Sequence, residues 1–233
     1  MQLTIFDLDG TLLSGDSDTL WCRFLIDQGE LDGERLRHSA EVAAHYAAGT
    51  VVPEDYCQFQ ASLLRGRSLA ALQPLRQRFL ADIIRPRIPQ AARDLIEHHR
   101  RAGDTLLLTT ATNRIVSEFT AQDLAVDAYL CTELEWTDGL CSGRTQGRLN
   151  IRMGKVDRLR GWLAEHGQTD ALLKRATFYS DSINDLALLS VVGRPVVVNP
   201  DVRLASTAIR KGWKQLNLRQ PRRDPALETQ TSS

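Results

Sequence analysis

Short apolar runs recur along the chain, each ending abruptly at polar residues. Leu3-Thr4-Ile5-Phe6 stops at acids and Gly10, which predicts a buried strand feeding a tight loop. Comparable runs stand at 105–109, at 177–180 and at 195–199. Their apolarity is continuous rather than alternating, as expected of strands covered on both faces of a parallel sheet. Between them the period changes. Residues 89–102 carry Ala92, Leu95, Ile96 and His99 at helical spacing and stop at Gly103. Residues 155–166 carry Val156, Leu159, Trp162 and Leu163 in the same way and stop at Gly167. Alternating strands and helices predict an α/β fold with a doubly wound parallel sheet.

The first two strands are separated by far more chain than one crossover needs. This stretch reads as helical throughout. One helix starts near Ser17 or Asp18 and places Leu20, Trp21, Phe24 and Leu25 on one side before Gly29. Another opens at Pro53-Glu54-Asp55, with proline and acids where the helix dipole favours them. Two more, near 33–48 and 68–84, complete a small bundle. The expected organisation is a core of residues 1–15 and 86–220, an inserted helical cap over 16–85, and a frayed tail over 221–233. Helices packed directly on the sheet are the alternative. Asp138-Gly139 is a strong hairpin-turn dipeptide and predicts a β-hairpin near 128–148.

Composition adds exclusions. Among 233 residues, 29 Lys and Arg cancel 29 Asp and Glu, so no bulk field draws in nucleic acid or an anionic membrane. Arg203, Arg210, Lys211, Lys214 and Arg219 make the C-terminal region locally basic, but without the aromatic interleaving of a nucleic-acid surface. No apolar run is long enough for a membrane span, and the N-terminus lacks the basic start of a signal peptide. Cys22, Cys57, Cys131 and Cys141 show no CxxC pair and read as reduced thiols of a cytoplasmic protein. The five histidines (His38, His45, His98, His99, His166) fall on helical segments with no acid partner at ligand spacing and read as structural. Trp21, Phe24, Tyr46, Tyr56 and Phe59 read as cap core rather than a substrate box.

The chemistry concentrates in two acidic segments. Asp7-Leu8-Asp9-Gly10-Thr11 follows one buried strand, and Ser180-Asp181-Ser182-Ile183-Asn184-Asp185 follows another. In open α/β sheets ligands bind beyond the carboxyl ends of the strands. Four acids converging there repel one another unless protonated or bridged by a cation, and oxygen-only donors suit Mg²⁺. Lys155, after Gly154, offers a cation for phosphate. Thr110 offers a hydroxyl, with Thr109 and Thr112 as rivals.

DxDGT, a Thr after an apolar strand, a later Lys and DxxxD resemble the haloacid dehalogenase (HAD) superfamily of phosphohydrolases over nearly the whole chain. The insertion resembles the C1-type cap of the phosphoserine-phosphatase-like branch, and Leu12 to Asp18 is similar to that branch's subfamily IB. The resemblance implies a Rossmann-like core and a small phosphomonoester as substrate. Asp7 is implied as nucleophile, forming an aspartyl-phosphate, and Asp9 as the acid that protonates the leaving alcohol and then activates water. Asp7, the Asp9 carbonyl and Asp181 are implied to hold Mg²⁺. Thr110, Lys155 and Asn184 are implied to bind the phosphoryl group, with Asp185 orienting Lys155 or a metal-bound water. A dehalogenase has no need of Asp9, because halide leaves without a proton.

For the substrate, Asp16 resembles the acid that meets an ammonium in phosphoserine phosphatases. The cap Arg of that family falls by register at Gln60, which has no charge; Arg65 and Arg67 are out of register. That departure tells against phosphoserine and leaves an amino-alcohol phosphate, such as histidinol phosphate or phosphocholine, as a plausible substrate. A phosphotransferase using the same intermediate, and a non-catalytic phospho-receiver, are the rival readings.

Overall fold

The computed structural model describes residues 2–33, 37–38, 41–42, 44–45 and 52–218. Most of the helix expected near 33–48, with Tyr46, lies outside these residues, as do Arg219 and the expected tail. Among the described residues seven strands form one sheet: β1 (Leu3–Phe6), β2 (Thr105–Asn113), β3 (Ala128–Thr137), β4 (Leu140–Gln146), β5 (Thr177–Ser180), β6 (Arg194–Val198) and β7 (Lys214–Leu216). Their order is β4-β3-β2-β1-β5-β6-β7. All neighbours are parallel except β4, which returns antiparallel to β3. The hairpin turn is Asp138-Gly139, both with positive φ (50° and 78°), as a type I′ connection requires.

The helices whose bounds lie among the described residues are α1 (Ser17–Asp27), α2 (Pro53–Ser62), α3 (Leu69–Arg78), α4 (Gln90–Arg101), α5 (Arg114–Asp123), α6 (Met153–Glu165), α7 (Asp170–Leu173), α8 (Leu186–Val191) and α9 (Val202–Lys211). They cover both faces. Leu3 and Ile5 of β1 pack with Leu107 against Val156, Leu159 and Leu163 of α6. Phe6, Leu106 and Leu108 point the other way, toward Ala92 and Ile96 of α4 and Ile115 of α5. Each such fully buried side chain contributes roughly 1.5–3 kcal/mol, which is why the strands read as unbroken apolar runs.

The same cluster continues through Trp21 and Phe24 of α1, Leu72 of α3 and Phe79. The helical insertion is thus packed on the α4/α5 side as well as against itself. Buried Arg76 of α3 donates to the Ile115 carbonyl (2.9 Å) and to Glu118 (2.5 Å) on α5. The β3–β4 hairpin pins α2 and the turn after it: Gln58 donates to the Gly143 carbonyl (2.7 Å), and the Gly66 amide to the Cys141 carbonyl (2.8 Å).

Two expectations need correction. Strand β2 does not stop at Thr109 but runs on to Asn113, whose side chain caps α5 by accepting from the Ile115 amide (3.1 Å). Two histidines do have acid partners. His99 Nδ1 lies 2.7 Å from Asp104 Oδ2, and His38 lies 4.0 Å from Glu41. The Asp104 partner stands five residues on, past the end of α4, so helical spacing cannot reveal it. All four cysteines are buried and none is in a disulfide, and no described helix is long and apolar enough to cross a membrane.

Candidate active site

The sheet reverses its winding at β1, with β2 on one side and β5 on the other. Both acidic segments leave the sheet at this switch point, where open α/β sheets bind ligands. The Asp7 amide still donates to the Tyr179 carbonyl (2.9 Å), holding the loop on β5. Gly10 then turns with φ of 72°. A Cβ there would also run into the Asp181 carboxylate, so the motif needs glycine for both conformation and clearance. Thr11 ties the two acidic segments together, its hydroxyl 3.2 Å from Asp181 Oδ1 and 3.4 Å from Asp7 Oδ2.

Lys155 enters from the first turn of α6. A Cβ on Gly154 would meet the Leu149 carbonyl, so the preceding loop closes against the helix only with glycine there. The Lys155 ammonium donates to Asp7 Oδ1 (2.7 Å) and Asp185 Oδ2 (2.8 Å), and the Ser180 hydroxyl also donates to Asp185 (2.8 Å). Lys155, Asp7 and Asp185 are all buried. Asp9 faces them half-buried. Its Oδ1 accepts from the Ser17 amide (2.7 Å), and its Oδ2 from Thr112 (2.9 Å) and Thr110 (3.3 Å).

The charges do not balance. Burial pushes Asp7 up to about 7, with Lys155 pulling it down and Asp185 and Asp9 adding to the rise. Asp9 is pushed up to about 6, first by burial and then by Asp16, against the bonds from Ser17 and Thr112. Asp181 is raised well above the carboxylate range by burial, Asp7 and Asp185. Burial alone would discharge Lys155, but Asp185 and Asp7 more than offset it and hold the ammonium above its usual range. Lys155 thus bonds two of the acids and leaves Asp9 and Asp181 without a cationic partner among the described residues. No group of three or more His, Cys, Asp or Glu among the described residues is arranged to hold a metal by side chains alone. The two carboxylates that share the Thr11 hydroxyl offer hard oxygens only.

These groups line a cleft of about 350 Å³, within the usual range for small-molecule sites. Asp7, Asp9, Thr110, Lys155, Asp181, Asn184 and Asp185 all reach it. Of the rival threonines, Thr112 lines it too. Thr109, on the other face of β2, instead accepts from buried Asn150 (2.9 Å). Asn184 accepts from Arg152 Nε (3.2 Å), whose own backbone sits at φ of 50° just ahead of α6.

From the insertion, Asp16 and Tyr56 line the cleft. Asp16 caps α1 by accepting from the Thr19 amide (2.7 Å). Gln60 does not line it: one helical turn beyond Tyr56, it borders a separate, smaller cavity with Asp18 and Cys57. Arg67 pairs with Glu30 (2.7 Å), and Arg65 packs over Gly143. Sequence reasoning missed Thr112 as more than a rival, together with Ser17, Asp18, Tyr56 as a cleft residue, and Arg152. Alternation along β2 was the one available signal, since it puts Thr110 and Thr112 on one face.

Residues 4–190 match the family described as haloacid dehalogenase-like hydrolase. The chain belongs to this family. This HAD-like hydrolase is 36% identical over 220 residues to a histidinol-phosphatase of Neisseria meningitidis, covering 94% of this chain and 99% of that one. It is 32% identical over 224 residues to a phosphoserine phosphatase of Mycobacterium tuberculosis, covering 90% and 68%. A solved protein of unknown function from Bordetella pertussis superposes with a TM-score of 0.87 at 36% identity, covering 94% and 99%. A substrate-bound phosphoserine phosphatase superposes at 0.69 with 16% identity, covering 94% and 93%, a likeness of fold.

Proposed function

We propose that this hydrolase is a Mg²⁺-dependent phosphatase acting on a small phosphomonoester through an aspartyl-phosphate at Asp7. The observation that carries the reading is the pairing of two carboxylates with different partners. Asp7 is held end-on by Lys155 through Oδ1 (2.7 Å). Asp9 is held by an amide and two hydroxyls. One is oriented as a nucleophile, the other as an acid and base.

In the first step an Asp7 oxygen attacks phosphorus, the bond from phosphorus to the alcohol oxygen breaks, and Asp9 gives its proton to the departing alkoxide. In the second, water attacks the phosphoryl group, Asp9 takes the water's proton, and the bond to Asp7 breaks to release phosphate. Lys155, Thr110 and Asn184 bind the phosphoryl oxygens, and Asp185 holds Lys155 in place. Asp7, Asp181 and the Asp9 carbonyl would hold Mg²⁺, whose charge offsets the acids and the phosphoryl group. The all-oxygen donor set suits that ion, which takes one or two carboxylates and keeps several waters. Each preorganised charge or donor of this kind is worth on the order of 10²–10³ in rate.

Residues 16–85 act as the cap, bringing Asp16 and Tyr56 to the cleft. Asp16 suits a substrate ammonium. No arginine of the cap among the described residues lines the cleft to meet a carboxylate. An amino-alcohol phosphate of the histidinol phosphate type therefore fits better than phosphoserine, in keeping with the histidinol-phosphatase among the relatives. Hydrolysis of a phosphomonoester panel with and without Mg²⁺ tests the reading. The expected result is Mg²⁺-dependent turnover preferring amine-bearing alcohol phosphates, with kcat/KM lowered more than about 10⁴-fold in Asp7→Asn. Full activity of that variant, or a preference for uncharged sugar phosphates, overturns it.

A further inference from the structure

Of the two hydroxyls that hold Asp9, Thr110 also binds the phosphoryl group in the mechanism above, whereas Thr112 has no other part in it. Asp9 Oδ2 lies closer to the Thr112 hydroxyl (2.9 Å) than to that of Thr110 (3.3 Å). Thr112 has one hydroxyl proton and three polar neighbours: Asp9 Oδ2, Ser17 Oγ at 3.1 Å and Asp18 Oδ2 at 3.4 Å. Ser17 can donate to Thr112, which leaves the threonine proton for a carboxylate. Asp18 Oδ2 already accepts from the Tyr56 hydroxyl (3.0 Å), and the shorter distance directs the Thr112 proton to Asp9. Ser17, Asp18, Tyr56 and Thr112 are all at most 2% exposed, so water does not replace a lost partner. A buried group left without its hydrogen bond bears the full desolvation penalty.

We propose that Thr112 is a positioning residue for Asp9: its hydroxyl fixes Oδ2 of the acid, and Tyr56, by occupying Asp18 Oδ2, leaves the threonine proton to Asp9. The inference rests on the role of Asp9 proposed above and extends it into the cap. Tyr56 of α2 lines the cleft and at the same time occupies the carboxylate that competes with Asp9 for the Thr112 proton. The segment that meets the substrate is thereby tied to the group that protonates its leaving oxygen.

The test uses leaving-group chemistry. An alkyl phosphomonoester needs a proton as its alkoxide departs, whereas p-nitrophenyl phosphate releases a stable phenolate. The readout is kcat/KM, which reports only the steps through departure, for both substrates with the full-length protein. Thr112→Val is expected to lower kcat/KM for the alkyl substrate about 10–100-fold while p-nitrophenyl phosphate changes less than about threefold, and Thr112→Ser to restore the alkyl rate. Tyr56→Phe, which frees Asp18 Oδ2 to compete for the threonine proton, is expected to shift the alkyl-to-aryl ratio the same way by about 2–5-fold. Equal losses on both substrates in Thr112→Val, or an unchanged ratio in Tyr56→Phe, overturn the proposal. Asp9→Asn run alongside separates the levels. If it shows the selective loss and Thr112→Val does not, only the positioning role fails. If Asp9→Asn keeps its alkyl turnover, the assignment of Asp9 fails and the positioning role falls with it.

Discussion

Two buried polar clusters touch β1 and β5, and they differ in how their charges are met. In the first, His99 Nδ1 lies 2.7 Å from Asp104, His99 Nε2 lies 2.8 Å from the Tyr179 hydroxyl, and Thr4 donates to Asp104 (2.8 Å). With Nδ1 protonated, His99 donates to the carboxylate and accepts from the tyrosine. Burial, followed by Asp104, pushes Tyr179 up to about 12 and keeps it a donor. The second cluster is the cleft, where Lys155 pairs with Asp7 and Asp185 while Asp9 and Asp181 have, among the described residues, only neutral donors. A network whose partners are complete serves to hold α4 on the sheet. One with excess charge of a single sign is relieved by protonation or by a bound cation, and such an imbalance is the pattern expected where chemistry takes place.

Lys155 is the group on which the acids of the cleft depend most. Replacing it in Lys155→Met leaves Asp7 and Asp185 buried without a counter-charge. Denaturant unfolding is expected to show a loss of about 3–5 kcal/mol, accompanied by loss of phosphatase turnover. An unchanged midpoint would mean that the ammonium is not what the two acids depend on. A smaller effect is expected in the complete network. His99→Gln should cost about 1–3 kcal/mol of stability while kcat/KM stays within about twofold of the parent. A large fall in kcat/KM with little change in stability would place His99 in the chemistry and dissolve the distinction.

Much of the cleft could be read from the sequence because it is local. Asp7, Asp9 and Gly10 sit within one turn, and Asp181 and Asp185 within another, so spacing alone brings each pair together. The buried strands and the hairpin were legible for the same reason, through unbroken apolar runs and Asp138-Gly139. What was not legible depends on packing between distant segments. Thr112 was obscured by the expected end of β2 at Thr109, whereas the strand continues and its alternation sends Thr109 to Asn150 and Thr112 to Asp9. Tyr56 and Gln60 share a helix face one turn apart, but only Tyr56 reaches the cleft, because the helix axis carries Gln60 about 6 Å farther along. His99 finds Asp104 beyond the end of its own helix, where periodicity says nothing.

In the proposed function the unbalanced acids of the cleft receive a hard cation. That role is tested most directly by unfolding the protein in denaturant across a Mg²⁺ titration, with Asp181→Asn in parallel. Near one hundred times the dissociation constant, Mg²⁺ is predicted to stabilise the parent by about 2.7 kcal/mol and to leave Asp181→Asn almost unmoved. A parent protein indifferent to Mg²⁺, or equal stabilisation of both proteins, would contradict it.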